Sequence, residues 1–275
     1  MNTQKDIEQI QLKFFLEGIL ERYGFDFQNY ANASLVRRIQ KAMQVEKVDS
    51  MLQLLDRMLV DEECMKRFMN ILSVDTTEMF RDPQFYIAFR NKVIPKLRER
   101  PFIRLWNAGC ASGEEVYSTA IVLTEEKLYA KSRLYATDLN AALLEEAKAG
   151  IFHLKTMQGY TENYIRAGGN QEFSRYYTAK YENALLHPDL KKNIVWAQHN
   201  LVTDASFNEF DAILCRNVMI YFNRTLQNDV HDLLYESLAV GGYLILGNRE
   251  SLKFTSHESD YEEIDEQARV YRRVR

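Results

Sequence analysis

The chain has 275 residues, 46% hydrophobic and 27% charged, with a formal net charge of −4. That length allows one large domain or a large one beside a small one, the composition is that of a soluble globular protein, and the acidic balance gives no general nucleic-acid signature. Three cysteines, Cys64, Cys110 and Cys215, lack metal-like spacing and read as reduced thiols of a cytoplasmic protein.

The N-terminus, MNTQKDIEQI, is polar and lacks the apolar core of a signal peptide, and no apolar run is long enough to span a bilayer. Through about Asn70 the pattern is helical only. Ile7, Ile10, Leu12, Phe14, Phe15, Ile19 and Leu20 fit one helical stripe, and Leu35, Ile39 and Met43 a second, with Asn32 and Ser34 as candidate caps. Met51, Leu54, Leu55 and Met58 form a third. Asp61 can cap a fourth, carrying Met65, Phe68, Met69 and Leu72. Pro83 opens a further helix to about Arg98.

After Arg100 the period changes. Ile103–Trp106, Arg133–Ala136, Ile194–Ala197, Ala212–Cys215 and Tyr243–Leu246 read as buried strands. Helical segments, Glu114–Tyr129, Ala141–Ala149 and Thr225–Ala239, lie between several of them. This alternation predicts an α/β fold, a doubly wound parallel sheet with helices on both faces. Ala268–Val274 reads as a last edge strand. Ile151–Asn193 is too long for an ordinary connection. With a turn at Gly168-Gly169-Asn170 and many aromatic residues, it reads as an inserted subdomain containing a hairpin, the aromatics being either peptide pockets or its core.

The stretch Arg104–Tyr117, RLWNAGCASGEEVY, predicts a strand, a tight turn and a helix start, where backbone comes close to a cofactor at Gly109. Glu114 and Glu115 stand at the helix N-terminus, whose partial positive charge commonly binds phosphate. Two carboxylates there offset that charge and repel a pyrophosphate. S-adenosylmethionine, with an ammonium, a sulfonium and no phosphate, suits such a site; a dinucleotide does not. Asp138 closes the second strand, where an acid accepts hydrogen bonds from a ribose diol or simply caps the next helix. Gln198-His199-Asn200-Leu201 ends the third strand, with a polar and an apolar side chain that either flank an adenine ring or are ordinary loop residues. Arg216 and Asn217 end the fourth, where ligands bind in open α/β sheets; Arg216 alternatively pairs with a structural acid. Five scattered histidines offer no ligand pair, so no metal is expected.

GCASGEEVYS, ATDLN and CRNVMIYF, in this order and spacing, resemble the chemotaxis-receptor glutamate methyltransferases, the CheR family. MFRDP at Met79–Pro83 resembles that family's motif at the entrance to the catalytic domain, and LVRRIQK at Leu35–Lys41 its basic N-terminal helix. The resemblance covers nearly the whole chain. It implies an all-helical receptor-recognition domain over 1–80 and a catalytic methyltransferase domain over 81–275, with a small antiparallel β-subdomain inserted at about 151–193. It implies methyl transfer from S-adenosylmethionine to glutamates of chemoreceptor helices, giving methyl esters and S-adenosylhomocysteine. Matching motifs place cofactor contacts on Thr77, Arg81, Glu115, Asp138, Asn200, Leu201, Arg216 and Asn217, and the active-site tyrosine on Tyr221; Asp75 is a further candidate contact by position, standing where the family commonly has asparagine. Arg81 and Tyr221 are the candidates to orient the substrate carboxylate; Arg81 alternatively holds the methionine carboxylate of the cofactor. Arg37, Arg38 and Lys41 read as one basic helix face, either meeting the receptor's acidic surface or simply solvated.

The chain departs from the family pattern at Asp75, where asparagine is common, and at Met79, Val116 and Asn248-Arg249, but none of these removes a residue the transfer needs. The other functions weighed are a methyltransferase of another substrate class on the same fold and a non-catalytic cofactor-binding module in a signalling array. The insert lacks the extra glycine-bearing loop associated with binders of a receptor tail, so methylation without a tail tether is expected.

Overall fold

A computed structural model describes residues 4–73 and 77–275. The chain divides into two compact units, Met1–Asp75 with Tyr221–Gln227, and Thr76–Ile220 with Asn228–Arg275.

The first unit is helical: α1 (Gln4–Tyr23), α2 (Asn32–Glu46), α3 (Met51–Val60) and α4 (Glu62–Leu72). Phe15, Ile19, Leu35, Ile39, Leu54, Met58 and Phe68 form its core, with the Phe15 and Phe68 rings edge-on at 5.6 Å. The expected stripe of α1 splits, because Ile7, Ile10 and Phe14 stay exposed while Phe15, Leu16 and Ile19 turn inward. Asp61 caps α4 by accepting from Glu63 N, as its position predicts. Neither Asn32 nor Ser34 caps α2; the cap position is Ala31, and the Ser34 hydroxyl instead accepts from Arg38.

The second unit opens with α5 (Pro83–Ala88), a π-helical turn Phe89–Val93, and α6 (Ile94–Arg98). The single helix expected to Arg98 carries this π turn because Pro95 has no N–H and its ring clashes with the carbonyl four residues back; Ile94 N bonds to Phe89 O, five back. Then come β1 (Ile103–Ala108), α7 (Glu114–Glu125), β2 (Ser132–Asp138), α8 (Ala141–Ala149), β3 (Ile151–His153), α9 (Leu154–Arg166), β4 (Tyr177–Lys180) and β5 (Asn183–Leu186). They are followed by β6 (Ile194–Gln198), β7 (Phe210–Cys215), α10 (Arg224–Ser237), β8 (Leu238–Leu246), β9 (Tyr261–Asp265) and β10 (Val270–Arg273).

Seven strands form the main sheet in the order β6-β2-β1-β7-β8-β10-β9. The first five are parallel, and β10 is antiparallel to both β8 and β9. From β1 the chain steps one way through α7 and α8, and from β7 the other way through α10, so right-handed crossovers place helices on opposite faces. The order reverses between β1 and β7, which opens a crevice at their carboxyl ends. The strand expected at the sheet edge, β10, is covered by β9, whose Glu262 and Glu263 masked its alternation.

The insert holds a three-stranded antiparallel sheet, β3-β5-β4, and also the helix α9, which the aromatic run concealed. Its hairpin turns at Tyr181–Glu182, while Gly168 ends α9 with φ +75°. Phe152, Tyr160, Tyr164, Phe173 and Tyr176 are buried and continuous with the main core, so these aromatics are packing residues; Tyr181 alone of the run is 89% exposed.

Candidate functional site

The loop from β1 to α7 takes the left-handed conformation at Gly109, Ala111 and Gly113 (φ +73°, +47° and +92°). Gly109 and Cys110 both donate their N–H to Thr137 O at 2.9 Å, which pins the loop to the end of β2. A Cβ on Gly109 would lie 2.5 Å from Val218 Cγ2, so only glycine lets this loop approach the one that follows β7.

Asp138 ends β2 and receives Ala111 N on Oδ2 at 2.8 Å and Asn140 N on Oδ1 at 2.9 Å. Burial pushes its carboxyl up, and the amides of Asn140, Ala111 and Leu139 pull it back. It does not cap α8; Asn140 does, accepting from Ala142 N. A carboxylate has about four lone-pair sites, so beside these three amides Asp138 retains one for a ligand.

Glu114 and Glu115 begin α7 as expected but have separate surroundings. Glu114 is buried, accepts the Ser112 hydroxyl at 2.8 Å and the Tyr160 hydroxyl of α9 at 3.4 Å, and is pushed up by burial. Glu115 receives Arg216 Nη1 at 2.7 Å. Arg216, 1% exposed at the end of β7, also donates Nη2 to Asp82 at 2.7 Å and lies 4.3 Å over the Phe85 ring. The alternative of a structural acid pair is therefore present at Arg216, with Glu115 as one of its two acids. Arg216 Nε is a buried polar atom without a partner.

Asp82 was not foreseen, although it stands inside MFRDP. Phe80 and Asp82 are both left-handed (φ +55° and +57°), and a bulky residue there is strained. Phe80 N bonds Ser118 Oγ at 2.9 Å and Asp82 bonds Arg216, so the half-buried Arg81 sits between two anchors. Thr77 is half-buried, and Asp75 lies outside the described residues.

Past β6, Asn200 accepts Val202 N at 3.0 Å in a local turn, with Asn200 and Leu201 half-buried. His199 packs against Trp106 and Phe207, and its Nε2 contacts Ala205 O at 3.2 Å, which makes it a wall residue. Asn217 is left-handed at φ +62°, its N–H on Glu250 Oε2 at 2.9 Å. Sequence reasoning missed Glu250, whose signal was its place directly after Asn248-Arg249. Gly109, Glu115, Asp138, Asn200, Leu201, Arg216 and Asn217 thus cluster at the carboxyl ends of β1, β2, β6 and β7.

Tyr221 belongs to the first unit, where its carbonyl accepts Ala31 N at 2.8 Å. The Arg38 guanidinium lies 4.5 Å over its ring. The expected face of Arg37, Arg38 and Lys41 is corrected here. Arg37 and Lys41 are exposed, but Arg38 is 8% exposed because it falls in the inward stripe of Leu35, Ile39 and Ala42.

The residues present fit S-adenosylmethionine. The helix N-terminus carries acids where a phosphate would need donors, the β2 acid keeps acceptor capacity, and Gly109 lets backbone come close. Among the described residues no cluster could hold a metal ion, and no helix is long and apolar enough to cross a membrane. All three cysteines are free and buried.

The family model for the CheR methyltransferase SAM-binding domain matches residues 75–270, and that for the CheR methyltransferase all-alpha domain matches 10–73. The chain is 41% identical over 273 residues to the putative methyltransferase Cher3 of Pseudomonas putida, covering 99% of this chain and 100% of the relative. It is 28% identical to a chemotaxis protein methyltransferase of Listeria monocytogenes, over 90% of this chain and 92% of that one. To chemotaxis protein methyltransferase 1 of Pseudomonas aeruginosa it is 29% identical, over 78% and 80%. With both family domains matched in order, the chain belongs to the CheR family and is a methyltransferase that uses S-adenosylmethionine and yields S-adenosylhomocysteine.

Proposed function

We propose that the enzyme methylates glutamate side chains on the cytoplasmic helices of a chemoreceptor, forming methyl esters, and that it does so in the cytoplasm without inserting into the membrane. The observation that carries this is the match of both the all-alpha and the SAM-binding domain to one family, spanning nearly the whole chain. The names of the Listeria and P. aeruginosa relatives support the chemotaxis setting. The exposed Arg37 and Lys41 support a protein substrate of acidic surface.

Bound S-adenosylmethionine supplies a methyl group made electrophilic by its sulfonium. In this proposal Asp138 accepts from a ribose hydroxyl with its remaining lone pair. Glu115 supplies negative charge beside the cationic cofactor, Asn200 and Leu201 flank the adenine, and Asn217 and Thr77 add polar contacts. Arg81, fixed between the anchors at Phe80 and Asp82, holds a carboxylate, either the cofactor's or the incoming glutamate's. Tyr221 orients the glutamate.

A glutamate carboxyl has a pKa of about 4.3 and arrives ionised, so no residue has to remove a proton. His199, held against Trp106 and Phe207, agrees with a site that needs no base. What remains is positioning, worth up to roughly 7–11 kcal/mol in favourable cases.

The test is transfer of labelled methyl to receptor-bearing membranes, scored as base-labile ester. Label that is stable to base, or that appears only on small molecules, would refute the substrate. Calorimetry should show S-adenosylhomocysteine binding and no competing uptake of NAD.

A further inference from the structure

The loop leaving β7 is held by one buried carboxylate. Glu250, 5% exposed, accepts Asn217 N at 2.9 Å and Gly247 N at 2.6 Å on Oε2, and Val218 N and Met219 N at 2.8 Å each on Oε1. Four backbone donors use the full lone-pair capacity of a carboxylate. Three successive N–H groups aimed at one anion form a nest, the arrangement that elsewhere binds phosphate. Here a side chain of the same chain fills it.

The surroundings leave this carboxylate little freedom. A Cβ on Gly247 would lie 2.8 Å from both Glu250 Oε2 and Asn217 N, so the return from β8 must be glycine. Asn217 takes the left-handed conformation that turns its N–H inward. Val218, fixed by Glu250 through its N–H, is the residue that abuts Gly109 of the cofactor loop. Burial pushes the Glu250 carboxyl up, and its four amides oppose that shift.

We infer that Glu250 is a positioning residue of the cofactor site. By filling the nest it sets the backbone of Asn217–Met219, and through it the side chain of Asn217 and the Val218 contact under Gly109. The inference rests on the assignment of Gly109 and Asn217 to the cofactor.

Glu250→Gln tests it. Glutamine brings one acceptor oxygen, and its NH2 faces N–H donors. The variant should fold, with amide exchange accelerated at Asn217–Met219 and unchanged in β1. Affinity for S-adenosylhomocysteine by calorimetry should fall roughly tenfold, the effect of one hydrogen bond to a charged group. KM for S-adenosylmethionine should rise while KM for receptor stays put, a split that general destabilisation does not produce. Glu250→Asp keeps the charge but is one methylene short, and should fall between the two. A folded Glu250→Gln with parental affinity and parental exchange at Asn217–Met219 would overturn the inference alone. If that variant does not fold, parental affinity in Glu250→Asp would overturn it. A parent protein that binds no S-adenosylhomocysteine would overturn the cofactor assignment, and this inference with it.

Discussion

Replacing Arg216 by methionine isolates the charge cluster at the end of β7. The guanidinium is 1% exposed and makes two hydrogen bonds of 2.7 Å, to Glu115 and Asp82. Methionine of similar length keeps contact with Phe85 but leaves both carboxylates without a cation. Deleting one partner of a buried ion pair costs about 3–5 kcal/mol. The Asp82 and Glu115 side chains are 29% and 21% exposed, so water recovers part of that and the expected loss is about 2–4 kcal/mol. At about 2–4 °C per kcal/mol for a domain of this size, Tm should fall by roughly 4–16 °C. Arg216→Lys should fall between the two, because an ammonium cannot fork to both acids. Differential scanning calorimetry, with and without saturating S-adenosylhomocysteine, measures both the loss and any rescue by ligand. A methionine variant melting within about 2 °C of the parent would refute the view that Arg216 locks α5 and α7 to the end of β7.

Asp138→Asn keeps one acceptor oxygen, removes the charge and turns an NH2 toward at least one of the backbone amides, so S-adenosylhomocysteine affinity should drop by about 1.5–3 kcal/mol, with a lower melting temperature from the lost backbone bond; equal affinity by calorimetry would return Asp138 to a purely structural role. In the first unit, Glu46 accepts Arg67 Nε at 2.6 Å and is held below the ordinary carboxylate value of 4.5, mainly by that hydrogen bond. The unfolded chain therefore binds more protons in that window, so the stabilisation is complete above 4.5 and is lost as pH falls through the lower folded value. Glu46→Gln should flatten this acid limb in urea titrations across pH, and an unchanged limb would count against it. Arg37→Glu with Lys41→Glu should slow receptor methylation most at low salt and leave cofactor affinity intact, whereas Arg38→Ala should lower the stability of the first unit; slowing that is indifferent to salt would argue against a steering face.

The sheet and its order of helices were legible because buried parallel strands read as continuous apolar runs, as Ile103–Trp106 and Ala212–Cys215 do. The glycine turn was legible because its backbone demands are local: Gly109 and Gly113 stand where positive φ is required. What escaped depends on partners distant in sequence. Asp82 becomes part of the site only through Arg216, 134 residues later, and Glu250 only through the amides of Asn217–Met219. Strand β9 carries too many acids to show a period, and α9 was hidden because its aromatics pack into the core beside those of the neighbouring strands.

Arg38 shows why charge type alone misleads. A run of Arg37, Arg38 and Lys41 suggests one solvated patch, yet a helix advances about 100° per residue, and that step separates Arg37 from Arg38. Arg38 thereby joins the stripe of Leu35, Ile39 and Ala42, with its stem buried, one nitrogen on Ser34 and its guanidinium over the Tyr221 ring. A long basic side chain can follow an apolar stripe inward when its head finds a hydroxyl and an aromatic face. Reading the helical phase before the charge would have set Arg38 apart from its neighbours, and it limits the candidate receptor surface on α2 to the two exposed cations, Arg37 and Lys41.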